Sequence, residues 1–202
     1  MNNNSLLPGL SSKSKQTYEK ILTVARTQFS KTGYENTTIQ IIAKKSKVYV
    51  GCIYKYFQSK EELYRIIITN EQKKVKNFIN QHITFCESRI DKEIEGLRAW
   101  LLYVDQNPNV YKLIWETLFF DKDLFDEYYN NFASVYAKAL EKNKDEISNT
   151  NYLLDAFMLI GISNFLWVKL ITSSYDKKDI DTIVEAFSEI YKNGFLKKWY
   201  EN

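Results

Sequence analysis

The chain has 202 residues, enough to bury a substantial core, and carries 28 Lys+Arg against 25 Asp+Glu for a formal net charge of +3. Its two cysteines, Cys52 and Cys86, stand far apart and argue against a disulfide scaffold or a thiolate metal site. One histidine and no glycine-rich phosphate loop leave no nucleophile with a base and no cofactor cradle, so neither an enzyme nor a bound cofactor or metal is expected.

Charge is unevenly spread along the chain. Residues 1–65 hold 11 basic and 4 acidic side chains, and the rest hold 17 and 21, so a basic front module suited to a polyanion precedes a mildly acidic body. Residues 1–14 read as a flexible arm; without a charged start or an apolar run of signal-peptide length, they fit a cytoplasmic protein. The remainder reads as all-α, in about nine helices. In the first, Tyr18, Ile21, Leu22, Ala25 and Phe29 share one face, and Gly33 suits its C-terminal cap. The second, "TTIQIIAKK", can be capped by Thr37 or Thr38, and Thr37 with Gln40 matches a capping box. "SKV" interrupts it, and a third short helix, "YVGCIYKY", follows.

Ser59 and Glu62 form a second capping-box pattern, opening a long fourth helix with Tyr64, Ile67, Ile68, Val75, Phe78, Ile79, His82 and Cys86 on its apolar face. Two short helices after a longer supporting one make a helix-turn-helix unit. Ile39, Ile42, Ala43, Val48, Ile53 and Phe57 can form its small core, which leaves Tyr49, Val50, Cys52, Lys55 and Tyr56 to face outward. Such a helix fits the DNA major groove: tyrosines bury a ring while donating a hydroxyl to phosphate, and Gly51 permits close approach.

At these residues, "TGYENTTIQIIAKKSKVYVGCIYKYFQSKEEL" and above all "IYKYFQSKEEL", the chain resembles the TetR family of bacterial transcriptional regulators over about a quarter of its length. The resemblance implies a homodimer with N-terminal DNA-binding domains and C-terminal domains that pair through their last two helices and enclose a small-molecule pocket. It places Thr38 and Gln40 at a helix start that meets phosphate or a base. Tyr49, Val50, Gly51, Cys52 and Tyr54 then fall on the recognition helix, and Lys55, Tyr56 and Lys60 at backbone-contacting positions. Three positions depart from the family pattern: Lys47, also a candidate DNA contact, stands in the turn where glycine is usual, Tyr49 where a small hydroxyl is common, and Val50 where lysine is frequent. Valine at that site shifts the expected contact toward the thymine methyl.

The domains expected are 15–60 for DNA binding and 61–202 for ligand binding and dimerisation. In the body a fifth helix carries Ile94, Leu97, Leu101 and Val104 on one face. Asn107 and Pro108 can start the sixth, where Tyr111, Ile114, Trp115 and Leu118 share a face. A seventh, roughly 123–143, aligns Phe125, Tyr128, Phe132, Val135, Tyr136 and Ala139. Trp100, Tyr103, Tyr111, Trp115, Phe119, Tyr128 and Phe132, with His82, are the candidate ligand-pocket residues; core packing is the other fate open to each. Leu153–Ile171 is long and apolar but carries Asp155, Asn164 and Lys169, so a covered helix is expected rather than a membrane span. Phe157, Gly161 and Phe165 on that helix, with Ile183, Phe187 and Tyr191 on the last, are the expected dimer contacts in a four-helix bundle. The reading is a repressor released from double-stranded operator DNA by a small, largely apolar or aromatic effector. The alternative is a sensor or binding protein whose basic head makes protein or nonspecific DNA contacts.

Overall fold

The computed structural model describes residues 11–147, 151–172 and 177–194. Among them the chain is all-α. In order come α1 (Ser12–Thr32), α2 (Ile39–Ser46), α3 (Val50–Tyr54), α4 (Lys60–Ile83), α5 (Arg89–Gln106), α6 (Pro108–Phe120), α7 (Lys122–Glu141), α8 (Tyr152–Thr172) and α9 (Lys177–Asn193), with a 3-10 turn at Lys144–Glu146. Of the expected arm, residues 1–10 lie outside the described residues. Its last three positions are helical, because the Ser11 side chain accepts from the Ser14 N–H at 3.3 Å and caps α1.

The chain divides into two compact units, and the division does not fall at residue 60. One unit comprises the chain up to Glu71 together with Asn109–Phe125; the other comprises Gln72–Pro108 and the chain from Asp126 onward. In the first, Ile21, Phe29, Ile42, Ile53, Phe57, Leu63, Tyr64, Ile68, Leu113 and Ile114 are almost wholly buried. Tyr18 stacks on Phe57 with centroids 5.0 Å apart, and Tyr64 donates its hydroxyl to the Leu113 carbonyl at 2.8 Å. Arg26 pairs with the buried Glu71 at 2.8 Å, and Arg65 with Asp121 at 2.6 Å.

In the second unit, Leu97, Leu101 and Val104 of α5 are buried. A further cluster joins Ala133 and Leu140 of α7 to Ala156 and Ile160 of α8. Tyr136, which packs against that cluster, also donates its hydroxyl to the Glu93 carboxylate, to which Arg89 donates from Nε at 2.6 Å. Burial pushes the Glu93 carboxyl up, against the pull of Arg89. The Arg89 backbone N–H donates to Glu146 at 2.8 Å, tying the 3-10 turn to the start of α5.

Several local expectations are corrected. Thr37 is no capping-box residue; the turn at Gly33 directs its hydroxyl to the Gly33 carbonyl at 2.8 Å, and Thr38 caps α2 instead by accepting from the Ile41 N–H at 3.2 Å. Ser59 accepts from the Glu62 N–H at 3.1 Å as a cap should, but the Glu62 carboxylate reaches back to the Gln58 N–H, one residue further than in a capping box. Cys86 is not on α4, which ends at Ile83; it lies in the following loop. Asn107 closes α5, donating its side-chain amide to the Tyr103 carbonyl at 3.0 Å, while Pro108 takes the first position of α6. Val135 is 57% exposed, since the buried edge of α7 runs through Leu124, Tyr128, Ala133 and Leu140.

Candidate nucleic-acid interface

The site is built on the α2–turn–α3 hairpin. Ile39, Ile42 and Ala43 of α2 and Ile53 and Phe57 around α3 are buried, as their spacing predicts, while Val48 is only half-buried. The turn is closed by two backbone bonds, Val48 N–H to the Ala43 carbonyl at 3.0 Å and Lys47 N–H to the Lys44 carbonyl at 3.2 Å. That pairing is the Schellman pattern, which needs a left-handed residue at its centre. Lys47 fills the position at φ 55°, ψ 45°, the one non-glycine residue with positive φ among those described. The lysine side chain is thereby held on the exposed side of the turn.

Tyr49 starts α3 in extended geometry without giving it a side-chain cap, and its own side chain is 91% exposed. An aromatic ring left that far in water gains nothing for the fold. A Cβ placed on Gly51 would meet nothing within 4 Å, so no neighbour in the protein requires glycine there. Thr38, Gln40, Tyr54 and Lys55 are exposed, and Val50 and Cys52 half-exposed. Tyr56 is half-buried, its ring edge-on to Tyr18 at 6.0 Å. The hairpin thus brings ten of the sequence-derived residues, Thr38 to Tyr56, onto one short structural unit. Lys60 differs. Its ammonium donates to the Tyr34 carbonyl at 3.1 Å and sits 4.0 Å from the centre of the Tyr34 ring, so part of its bonding capacity is used within the protein.

The candidate ligand residues fall in both units. Tyr111, Trp115 and Phe119 belong to the first unit, and His82, Trp100, Tyr103, Tyr128 and Phe132 to the second. Phe119 does not line a cavity: it is 86% exposed, because the buried arc of α6 runs through Val110, Leu113, Ile114 and Thr117 on the other side. In the second unit Trp100, Tyr103 and Tyr128 are buried, and Phe78 packs edge-on to Tyr103 at 5.4 Å and 4.4 Å from the His82 ring. His82 Nδ1 lies 2.8 Å from the Phe78 carbonyl and donates to it, a bond that does not involve Nε2. A separate groove of about 380 Å³ is lined by Ile94, Arg98, Val184, Glu185, Ser188 and Glu189, and contains none of these aromatics.

α8 has the length and apolar composition to cross a membrane. Its two sides differ. Ala156, Ile160, Trp167 and Leu170 are buried, while Leu154, Met158, Ile162 and Phe165 are 43 to 72% exposed and Phe157 37%. Gly161, on the open side, has nothing within 4 Å of a built Cβ. On α9, Ile183, Phe187 and Tyr191 are half-buried and the last two rings stack at 5.4 Å. Burial, with Glu93 nearby, pushes the Tyr191 hydroxyl up to about 12.

The hairpin, its supporting α1 and the helical body define a helix-turn-helix protein. Residues 21–67 match the model of the bacterial regulatory proteins of the tetR family. The chain is 36% identical over 78 residues to the HTH-type transcriptional regulator HbdR of Aromatoleum sp. strain CIB, covering 39% of this chain and 29% of that protein. It is 34% identical over 85 residues to IcaR, the negative transcriptional regulator of the biofilm operon icaADBC in Staphylococcus epidermidis, covering 41% and 42%. The matches therefore span less than half the length of these curated relatives. Over 91% of this chain and 98% of the other, the fold is that of a TetR-family transcriptional regulator from Syntrophomonas wolfei, with a TM-score of 0.78 at 21% identity. Residues 21–67 form a tetR-family N-terminal domain, carried on an all-helical chain with the fold of those regulators.

Sequence reading missed the corner at Gly33 and Tyr34, where α6 meets the head. An aromatic residue directly after a capping glycine was its only local signal.

Proposed function

We propose that the protein is a dimeric, DNA-binding transcriptional repressor of the cytoplasm, released from its operator by a small, largely apolar or aromatic effector. The observation that carries this reading is the α2–α3 hairpin with Tyr49 almost fully outward and Gly51 unobstructed: an exposed aromatic and an unneeded glycine on one short helix suit a partner's close approach, not the fold. Tyr49, Val50, Cys52 and Tyr54 face base edges in the major groove, with Gly51 letting the helix in. Thr38, Gln40, Lys47, Lys55, Tyr56 and the remaining capacity of Lys60 hold phosphates.

The open side of α8, with Phe157, Gly161 and Phe165, and the α9 residues Ile183, Phe187 and Tyr191 pair with a second copy in a four-helix bundle. An effector meets the aromatic residues of the second unit, with His82 Nε2 as its polar contact. Ligand shifts the population between two spacings of the heads, only one of which matches the operator. Mobility shift on the DNA flanking the protein's own gene, at two salt concentrations, tests the reading. Selective retention of one fragment at the higher salt is expected; equal loss of all fragments contradicts it.

A further inference from the structure

One apolar side chain fixes α3 to the core, and most of the rest of the helix is left to solvent. Ile53 is wholly buried, and the Cys52 N–H donates to the Tyr49 carbonyl at 2.9 Å to close the helix start. Val50 and Cys52 are half-exposed, Gly51 is exposed, and Tyr49 and Tyr54 are 91% and 51% exposed. Residues 49–54 contain no guanidinium, ammonium, amide or carboxylate. They therefore lack the side chains that read guanine or adenine bidentately, and the acids that accept from cytosine. Lys44, Lys47 and Lys55 are exposed around α3 but outside it, where they supply the positive charge that a duplex backbone attracts.

Two kinds of group remain on α3 for base edges. The Tyr49 and Tyr54 hydroxyls, and more weakly the Cys52 thiol, each donate or accept, so they fit a base carbonyl or a base amino group alike. They do not tell which of the two is present. The Val50 side chain is apolar, and the 5-methyl of thymine is the one apolar group that the standard base pairs present in the major groove. Contact between two such groups is short-ranged: a gap of about 1 Å forfeits up to about half of it. Gly51, where a built Cβ meets nothing within 4 Å, leaves the backbone beside Val50 free to come that close.

We propose that α3 recognises the 5-methyl group of a pyrimidine, through Val50 seated by Gly51, and not the hydrogen-bonding group beside that methyl. Thymine and 5-methylcytosine are then accepted where uracil and cytosine are disfavoured. The proposal rests on the DNA-binding reading above and names the base chemistry that α3 recognises.

The test uses the full chain and a duplex that the wild-type protein selects from a random pool. Each thymine of the selected half-site is replaced in turn by uracil, which removes the methyl and keeps every hydrogen-bonding group. At one or more positions the wild type is expected to lose about fourfold in affinity, the worth of one buried methyl. At the same position 5-methylcytosine is expected to bind about fourfold tighter than cytosine. Val50→Ala should respond to either methyl by less than about twofold, whereas an effect of the methyl on duplex stiffness would be the same in both proteins. Thermal melting by circular dichroism shows that the variant folds; if it does not, Gly51→Ala decides, because its added methyl stands in open space within the protein and between α3 and the groove in the complex. A selected duplex that binds equally well with uracil at every position overturns methyl recognition and leaves the DNA-binding reading standing. So does a folded variant that responds to the methyl as wild type does. A wild-type protein that selects no duplex overturns the DNA-binding reading and methyl recognition with it.

Discussion

Lys47 and Gly33 occupy the two left-handed corners of the head, and only one of them has the residue type its backbone favours. Lys47 sits at φ 55° in the turn between α2 and α3. A side chain in that region costs about 1–2 kcal/mol, offset by about 0.4–1 kcal/mol of unfolded-state entropy that glycine would add. Lys47→Gly is therefore expected to stabilise the protein by roughly 0.5–1 kcal/mol. Gly33→Ala has the opposite sign: its φ and ψ admit glycine, and the added methyl would press on Glu116, for a cost of about 1–3 kcal/mol. Urea unfolding midpoints of the two variants check the pair. A Lys47→Gly protein no more stable than wild type would mean that the turn relaxes around lysine without strain. Keeping a strained lysine on the exposed side of a turn suits a contact made outside the protein. That lysine stands out against the glycine usual in the resembled family, so the residue itself was legible in the sequence. The choice between Thr37 and Thr38 as cap was not. Adjacent hydroxyls compete equally in sequence, and the direction of the Gly33 turn decides between them.

At the scale of the element, the sequence pattern identified the described α-helices: apolar spacing marked α1, α4–α7 and α9, cap and turn residues the short α2 and α3, and apolar length α8. It did not say which side of a helix is covered. On α6 the expected face ran through Tyr111, Ile114, Trp115 and Leu118, yet Leu113 and Thr117 are more deeply buried than Trp115 or Leu118. The reason is nonlocal: α6 belongs with α1–α3 and the part of α4 up to Glu71 in the first unit, a partnership that no spacing within residues 108–120 encodes. α8 shows the converse. Apolar on nearly all sides, it announced a need for cover on two faces, and the described residues bury one. Phe165, 72% exposed, is near the middle of the open face. In the proposed dimer it is desolvated by the partner, so Phe165→Asp buries a charge at the pairing surface and should shift the protein to monomers. Sedimentation velocity at micromolar concentration measures this, with thermal melting to show that the fold persists. A Phe165→Asp protein that stays dimeric contradicts pairing through α8.

For the whole molecule, a basic front precedes an aromatic, mildly acidic body along the chain. That division was visible in the charge distribution, but its boundary was not. The sequence reading separated head from body at residue 60, whereas the chain passes from one unit to the other after Glu71, after Pro108 and after Phe125. A boundary crossed three times leaves no linker signature of Pro, Gly or Ser to find. In the proposed repressor, function follows from pairing: one head offers a short recognition helix and a few phosphate contacts, too little for selective binding, and two heads on one duplex would multiply its effect by about 10²–10⁴.

The most direct test of that claim is sedimentation equilibrium of the protein with a selected duplex carrying two inverted half-sites, beside a duplex carrying only one. Two protomers per full duplex are expected, with binding to the single half-site weaker by about a hundredfold or more. One protomer per full duplex, or equal affinity for both duplexes, would contradict it.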